Sequence, residues 1–319
     1  MRAARLGLAL DTGALTLPEG RIAILGPHAG DDISALPKDR TVVVQGFRPD
    51  HDHFAAQGWQ TAVVPPADAT TMIVCLPRAK AHAQAMLSVA AKVGVSVVDG
   101  QKTDGIDSVL RDLRARGTVG EAVTKAHGKL AVFEADLDEW AAAPRMVEGF
   151  QTVPGVFSAD GPDRGSVLLA DLLGPLKGRV ADLGAGWGYL SRAALAKGAA
   201  ELDLVEADAA ALECARINVP GENVRFHWAD ATTWTPDRSL RHVVCNPPFH
   251  TGRDADPALG IAFITQAARI LASEGTLWLV ANRHLPYREV LQAAFRKVEE
   301  IGGDGAFRVV RAEGPNRRR

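Results

Sequence analysis

The stretch Val180-Ala181-Asp182-Leu183-Gly184-Ala185-Gly186-Trp187-Gly188-Tyr189-Leu190-Ser191 fixes the reading of the chain. Val180 to Leu183 suit a short buried strand, and the three alternate glycines form a turn in which backbone can approach a ligand closely. A helix is expected from Ser191 to Lys197. Strand, glycine loop and helix in that order make a unit of an open, mostly parallel α/β sheet. The glycine spacing also discriminates. A dinucleotide loop of the form G-x-G-x-x-G needs glycine at 189, which is Tyr189, and no Lys-Ser or Lys-Thr closes the loop as in a Walker A sequence. The pattern suits a nucleoside without a pyrophosphate, such as the sulfonium nucleoside S-adenosylmethionine.

Working outward, the next strand, Leu202 to Val205, ends at Glu206, 22 residues past Gly184. That is close to the ~20-residue spacing at which an acid meets ribose hydroxyls in nucleotide-binding sheets. Asp208 reads as the N-cap of a helix over 209–218. The third strand, Val224 to Trp228, leads to Asp230-Ala231, where an acid can accept from an adenine amino group. The fourth, Val243-Val244-Cys245, runs into Asn246-Pro247-Pro248-Phe249-His250. Two prolines stop the strand and remove N–H donors. What remains is an amide side chain, carbonyls and a ring, a set that suits a planar amine. A fifth strand over 276–280 and a terminal hairpin with Gly302-Gly303-Asp304-Gly305 at its turn complete a seven-stranded sheet. Asp163 and Ser166 read as capping groups for a helix over 165–173.

The first half repeats the alternation with strands over 22–25, 41–45, 61–64, 71–76 and 95–98 and helices over 80–93 and 106–116. Its chemistry is missing. Gly26-Pro27-His28-Ala29-Gly30 is a poor nucleotide loop, and Leu76-Pro77-Arg78-Ala79 stands where the second half has Asn246-Pro247-Pro248-Phe249. The expectation is two tandem Rossmann-like domains, 1–140 and 141–319, the first degenerate, with Arg78 reassigned to an anion. Residues 117–150 read as the join.

Composition sets limits. The 319 residues are 47% hydrophobic and 23% charged with a formal charge of −2, so any nucleic-acid surface is local rather than global. Residues 283–319 carry nine basic side chains against five acidic ones. Cys75, Cys214 and Cys245 are widely spaced in apolar settings, which fits buried thiols in a reducing compartment. No CxxC or HExxH motif occurs, and His51-Asp52-His53 reads as a polar loop rather than a metal site. No stretch approaches the roughly 20 apolar residues of a membrane span. A cytoplasmic monomer without metal is expected.

Asp182-Leu183-Gly184-Ala185-Gly186-Trp187-Gly188 together with Asn246-Pro247-Pro248-Phe249-His250 resembles class I S-adenosylmethionine-dependent methyltransferases of planar nitrogens. Gly155-Val156-Phe157-Ser158-Ala159-Asp160-Gly161 and Leu279 to Tyr287 are similar to the bacterial small-subunit (16S) ribosomal RNA guanine-N2 methyltransferases and their large-subunit relatives. The resemblance covers residues 155–312. It implies an inactive first domain serving RNA recognition or stability, ribosomal RNA or the small subunit as partner, and methylation of guanine N2. It implies cofactor contacts at Asp182, Gly184, Ala185, Gly186, Gly188, Glu206, Asp230, Ala231 and Asn246. Catalysis falls to Asn246, Pro247, Pro248 and Phe249, with Phe157, Ser158, His250, Arg253 and Arg283 as further substrate contacts. Methylation of an adenine N6, a protein glutamine amide or a large-subunit guanine stays open, as does a non-catalytic RNA-binding assembly factor.

Overall fold

The computed structural model describes residues 2–248, 250–251, 254–255 and 257–316, and of 250, 251, 254 and 255 the backbone only. The chain divides into two compact units, Met1–Pro144 and Arg145–Arg319.

The first unit opens with α1 (Arg2–Asp11) and continues β1 (Arg21–Leu25), β2 (Thr41–Val44), α2 (Arg48–Ala56), β3 (Gln60–Ala62), β4 (Ala69–Cys75), α3 (Lys80–Ala90), β5 (Val95–Gln101), α4 (Ile106–Arg114), β6 (Gly117–Val119), β7 (Val123–Lys125) and β8 (Gly128–Ala135). Its sheet runs β3-β2-β1-β4-β5-β8-β6, with β7 paired to β8. The first five strands are parallel and β8 is antiparallel to β5 and β6.

The second unit begins with the hairpin β9 (Arg145–Val147) and β10 (Phe150–Thr152), then α5 (Arg164–Leu172), β11 (Gly178–Leu183), α6 (Tyr189–Ala196), β12 (Ala199–Glu206), α7 (Ala209–Asn218), β13 (Val224–Trp228) and β14 (Leu240–Cys245). A two-residue pair, β15 (His250–Thr251) and β16 (Asp254–Ala255), precedes α8 (Pro257–Ile270), β17 (Leu271–Asn282), α9 (Tyr287–Ala294), β18 (Phe295–Gly303) and β19 (Phe307–Pro315). The sheet order is β13-β12-β11-β14-β17-β19-β18. Counted within each unit, both sheets begin 3-2-1-4-5; the second ends 7-6, and the first ends 8-6 with its seventh strand paired to the eighth. Both faces of the second sheet are covered: Ala181, Leu183, Val243 and Cys245 pack with α8 and α9, while Val180, Leu204 and Val244 pack with α5, α6 and α7. This two-sided burial explains the continuous apolar runs of the parallel strands.

Three readings are corrected. His51-Asp52-His53 lies on helix α2, not in a loop; Pro49 starts that helix, and Asp50 and Phe54 alone of its residues are buried, so its apolar period is too weak to read. Residues 117–135 are not a join but the last strands of the first sheet. Finally, the sequence match sets Leu76 against Asn246, whereas strand register shifts it by one. Leu183 pairs with Cys245 and Leu25 with Val74, so the residue level with Asn246 is Cys75. Arg78 pairs with Asp104 at 3.5 Å.

Candidate active site

The glycine loop leaves the end of β11 and is clamped at once: the N–H groups of Gly184 and Ala185 both donate to the Val205 carbonyl, at 2.9 and 3.1 Å. Gly188 has φ +93° and N-caps α6. A Cβ there would lie 2.5 Å from Val219 Cγ2, so only glycine fits. At Gly186, φ +55°, nothing stands within 4 Å of a Cβ position. The open side leaves backbone accessible to a ligand.

Two carboxyls support the loop. Asp182 is fully buried on β11. Ser191 Oγ donates to its Oδ2 at 2.6 Å, and Oδ1 has no partner among the described residues. Burial pushes the Asp182 carboxyl up to about 7, against the pull of the Ser191 hydrogen bond. Glu206, at the end of β12, accepts from Gly186 N through Oε2 and from Asp208 N through Oε1, each at 2.7 Å. Desolvation again dominates and raises it to about 7, although these backbone donors oppose the shift. Asp208 caps α7, accepting from Ala210 and Ala211 N. Asp230 follows β13, its Oδ1 committed to the N–H and hydroxyl of Thr232, with Ala231 buried beside it.

Asn246 follows β14 and faces the start of α5. Its Nδ2 donates to Asp163 Oδ2 at 2.9 Å and to Ser166 Oγ at 2.8 Å, while its buried Oδ1 has no partner among the described residues. Pro247 is buried and Pro248 exposed. Phe157 and Ser158 form the opposite lip. The Phe157 ring is 65% exposed, and its carbonyl accepts from Trp187 Nε1 at 2.9 Å, which ties this lip to the glycine loop. Ser158 has φ +51°, and its hydroxyl donates to the Gly161 carbonyl.

One cleft therefore gathers Phe157, Ser158, Gly184, Ala185, Gly186 and Asn246. Glu206 joins it through Gly186; Asp230 and Ala231 stand at the neighbouring strand end and do not line the cleft. Arg283 lies outside it, donating to the Asp304 carbonyl and pairing with Glu300 at 2.9 Å across the terminal hairpin. Phe249 and Arg253, and the side chain of His250, lie outside the described residues. Asp163 and Ser166 were legible only as helix caps, because their contacts with Asn246 span 83 and 80 positions. Among the described residues no group of His, Cys, Asp and Glu forms a metal cluster, and no helix is long and apolar enough to cross a membrane.

The sheet order, the glycine turn at the carboxyl end of the first strand and the amide at the end of the fourth define a class I methyltransferase. A family model, the methyltransferase small domain, matches residues 148–311. The ribosomal RNA small subunit methyltransferase C of Salmonella heidelberg is 34% identical over 261 residues, 77% of this chain and 76% of that protein. That of Shewanella baltica is 29% identical over 260 residues, covering 75% and 74%. The solved T. Thermophilus 16S rRNA N2 G1207 methyltransferase, in complex with AdoMet and guanosine, superposes with a TM-score of 0.80 at 25% identity, over 98% of this chain and 91% of that one. The chain belongs to the ribosomal RNA small subunit methyltransferase C family.

Proposed function

We infer that the protein transfers a methyl group from S-adenosylmethionine to the exocyclic N2 of a guanine in small-subunit ribosomal RNA. The observation that carries this reading is the Asn246 amide, held by its nitrogen, with a buried carbonyl oxygen that has no partner among the described residues, in the cleft lined by the glycine loop.

The residues present fit the cofactor. Asp182 Oδ1 is a buried acceptor next to the loop with no partner among the described residues, suited to an ammonium group, and Gly186 leaves its backbone open. We assign Glu206 to the ribose hydroxyls and Asp230, at the neighbouring strand end, to the adenine amine. Bound there, S-adenosylmethionine supplies an electrophilic methyl on a positively charged sulfur. The chain's own task is the acceptor. The lone pair of a guanine N2 is delocalised into the ring, which makes it a weak nucleophile. Asn246 Oδ1 accepts one amino proton and the Pro247 carbonyl is suited to the other, favouring a pyramidal nitrogen whose lone pair is available. This is positioning and electrostatic stabilisation. A base in a helix is out of reach of such a cleft, so the target is turned out of its stack. The exposed Phe157 ring offers a face for it.

We assign the first unit a supporting role in RNA recognition or stability. At the positions level with Asp182, Glu206 and Asn246 it carries Ile24, Gln45 and Cys75: Ile24 and Cys75 offer no strong acceptor, and both ends of the Gln45 amide are taken up by Pro27, Asp50 and Phe47.

The test is transfer of labelled methyl to ribosomal RNA from cells lacking the protein, followed by nucleoside mass spectrometry. N2-methylguanosine in the small-subunit RNA is expected. Label in adenosine, in large-subunit RNA or in protein would overturn the substrate assignment.

A further inference from the structure

We propose that Asp163 and Ser166 are positioning residues for methyl transfer, acting through the Asn246 amide. The proposal rests on the reading of Asn246 as the amine acceptor. The two ends of a primary amide differ in sense but hardly in shape, so a 180° turn about the terminal torsion costs little by itself. Turned the wrong way, Asn246 presents N–H groups to the N–H groups of its substrate. Something has to fix the sense.

Asp163 does so. An ionised carboxylate can only accept, so the amide edge that faces it, at 2.9 Å, has to be Nδ2. Oδ1 is then directed the other way, and it is this oxygen that is buried without a partner among the described residues. The Ser166 hydroxyl, 2.8 Å from Nδ2, fixes the place of the amide, but a hydroxyl donates as readily as it accepts and cannot by itself fix the sense. Ser166 is 8% exposed, so the contact is shielded from water.

The clamp is anchored by the helix. Asp163 Oδ2, the same oxygen that holds Asn246, also accepts from Ser166 N at 3.0 Å as the N-cap of α5. A purely structural asparagine at a strand end would be expected to have both ends of its amide bonded. Here only the nitrogen end is bonded among the described residues, and Asn246 lines the cleft assigned to the methyl acceptor.

The experiment compares Asp163→Ser, Asp163→Asn, Ser166→Ala and Asn246→Ala in single-turnover transfer to unmethylated 16S RNA, with calorimetric S-adenosylmethionine binding and thermal melting alongside. Serine keeps a capping oxygen for Ser166 N but is too short to hold Asn246. Asp163→Ser is expected to retain the melting temperature and the cofactor affinity while the transfer rate falls on the order of 10- to 100-fold. Asp163→Asn, whose carbonyl oxygen can take both bonds, should recover most of that loss, and Ser166→Ala, which leaves the cap intact, should lose less than Asp163→Ser. Wild-type rates in both Asp163→Ser and Ser166→Ala, with Asn246→Ala inactive, would overturn the clamp and leave the function standing. So would an Asp163→Asn rate no better than that of Asp163→Ser. An Asn246→Ala variant that transfers at the wild-type rate overturns the reading beneath it.

Discussion

Arg21-Ile22-Ala23-Ile24-Leu25-Gly26 and Arg179-Val180-Ala181-Asp182-Leu183-Gly184 are the same strand and turn in the two units. In each, the N–H of the closing glycine donates at 2.9 Å to a carbonyl of the adjacent strand, Val44 in the first unit and Val205 in the second. The difference lies in what fills the space at the carboxyl ends of the strands. In the second unit, Asp163 and Ser166 at the start of α5 hold an amide whose oxygen has no partner among the described residues. In the first, the corresponding helix α1 sends in Arg2 and Arg5. Arg2 reaches from Asp31, in the loop after β1, to Asp99, near the end of β5, and Arg5 pairs with the same carboxylate. Arg5 and Asp99 are fully buried. One unit leaves buried acceptors at its strand ends without a partner among the described residues; the other fills that place with an internal ion cluster. The same topology thus supports a site or a plug, and the choice is made by the first turn of the preceding helix.

The largest expected effect tests the plug. Asp99→Ala removes the carboxylate that two buried guanidinium groups share and should cost about 3–5 kcal/mol of stability, read as a fall in denaturation midpoint. Cofactor affinity below the melting range should not change; if it falls in step, the two units are not separable in this way.

Next comes the site itself. Asn246→Ala should lower the transfer rate roughly 100- to 1,000-fold while cofactor binding persists. Cys75→Ala, at the level position in the first unit, should leave the rate unchanged. Equal losses in both would mean that the first unit takes part in the chemistry.

The glycines give a smaller contrast. Gly188→Ala combines a positive φ with a collision against Val219 and should cost roughly 2–4 kcal/mol; Gly26→Ala meets only the flexible end of Met86 and should cost roughly 1 kcal/mol. Paired chemical denaturation of the two variants checks the ranking.

The smallest effect is on pH. Asp182 and Glu206 are both raised to about 7, whereas Ile24 and Gln45 do not titrate. A carboxyl raised in the folded state holds a proton that the unfolded chain has released, so it destabilises the ligand-free fold as pH climbs from the ordinary carboxylate range towards 7. The cofactor's ammonium and hydroxyls favour the ionised forms. Affinity for S-adenosylmethionine should therefore rise from pH 6 to pH 8, by up to about tenfold, with proton release on binding. Calorimetry in buffers of different ionisation enthalpy measures both. A flat profile would remove Asp182 and Glu206 from the binding site.

Much of the second unit is legible in sequence because its turns are made by residues with few alternatives. Three glycines at positive φ and two consecutive prolines mark where strands end, and strand ends are where this fold binds. The α5 clamp was not legible, since nothing local in Asp163 distinguishes a cap that also holds an amide from one that does not. Helix α2 was hidden by a polar surface with a single large apolar anchor, Phe54. The one-residue offset of Cys75 against Asn246 was invisible because Ile73-Val74-Cys75 and Val243-Val244-Cys245 look alike, and only register tells them apart.

The Arg2, Arg5 and Asp99 cluster also bears on reversibility. Removing Asp99 takes from Arg2 and the fully buried Arg5 the carboxylate they share, at a cost comparable to a large part of a domain's net stability. Opening the place of this cluster to a ligand therefore needs Asp99 and both arginines replaced together, and replacing one of them alone does not clear it: the cluster acts as a lock on the interior of the first unit.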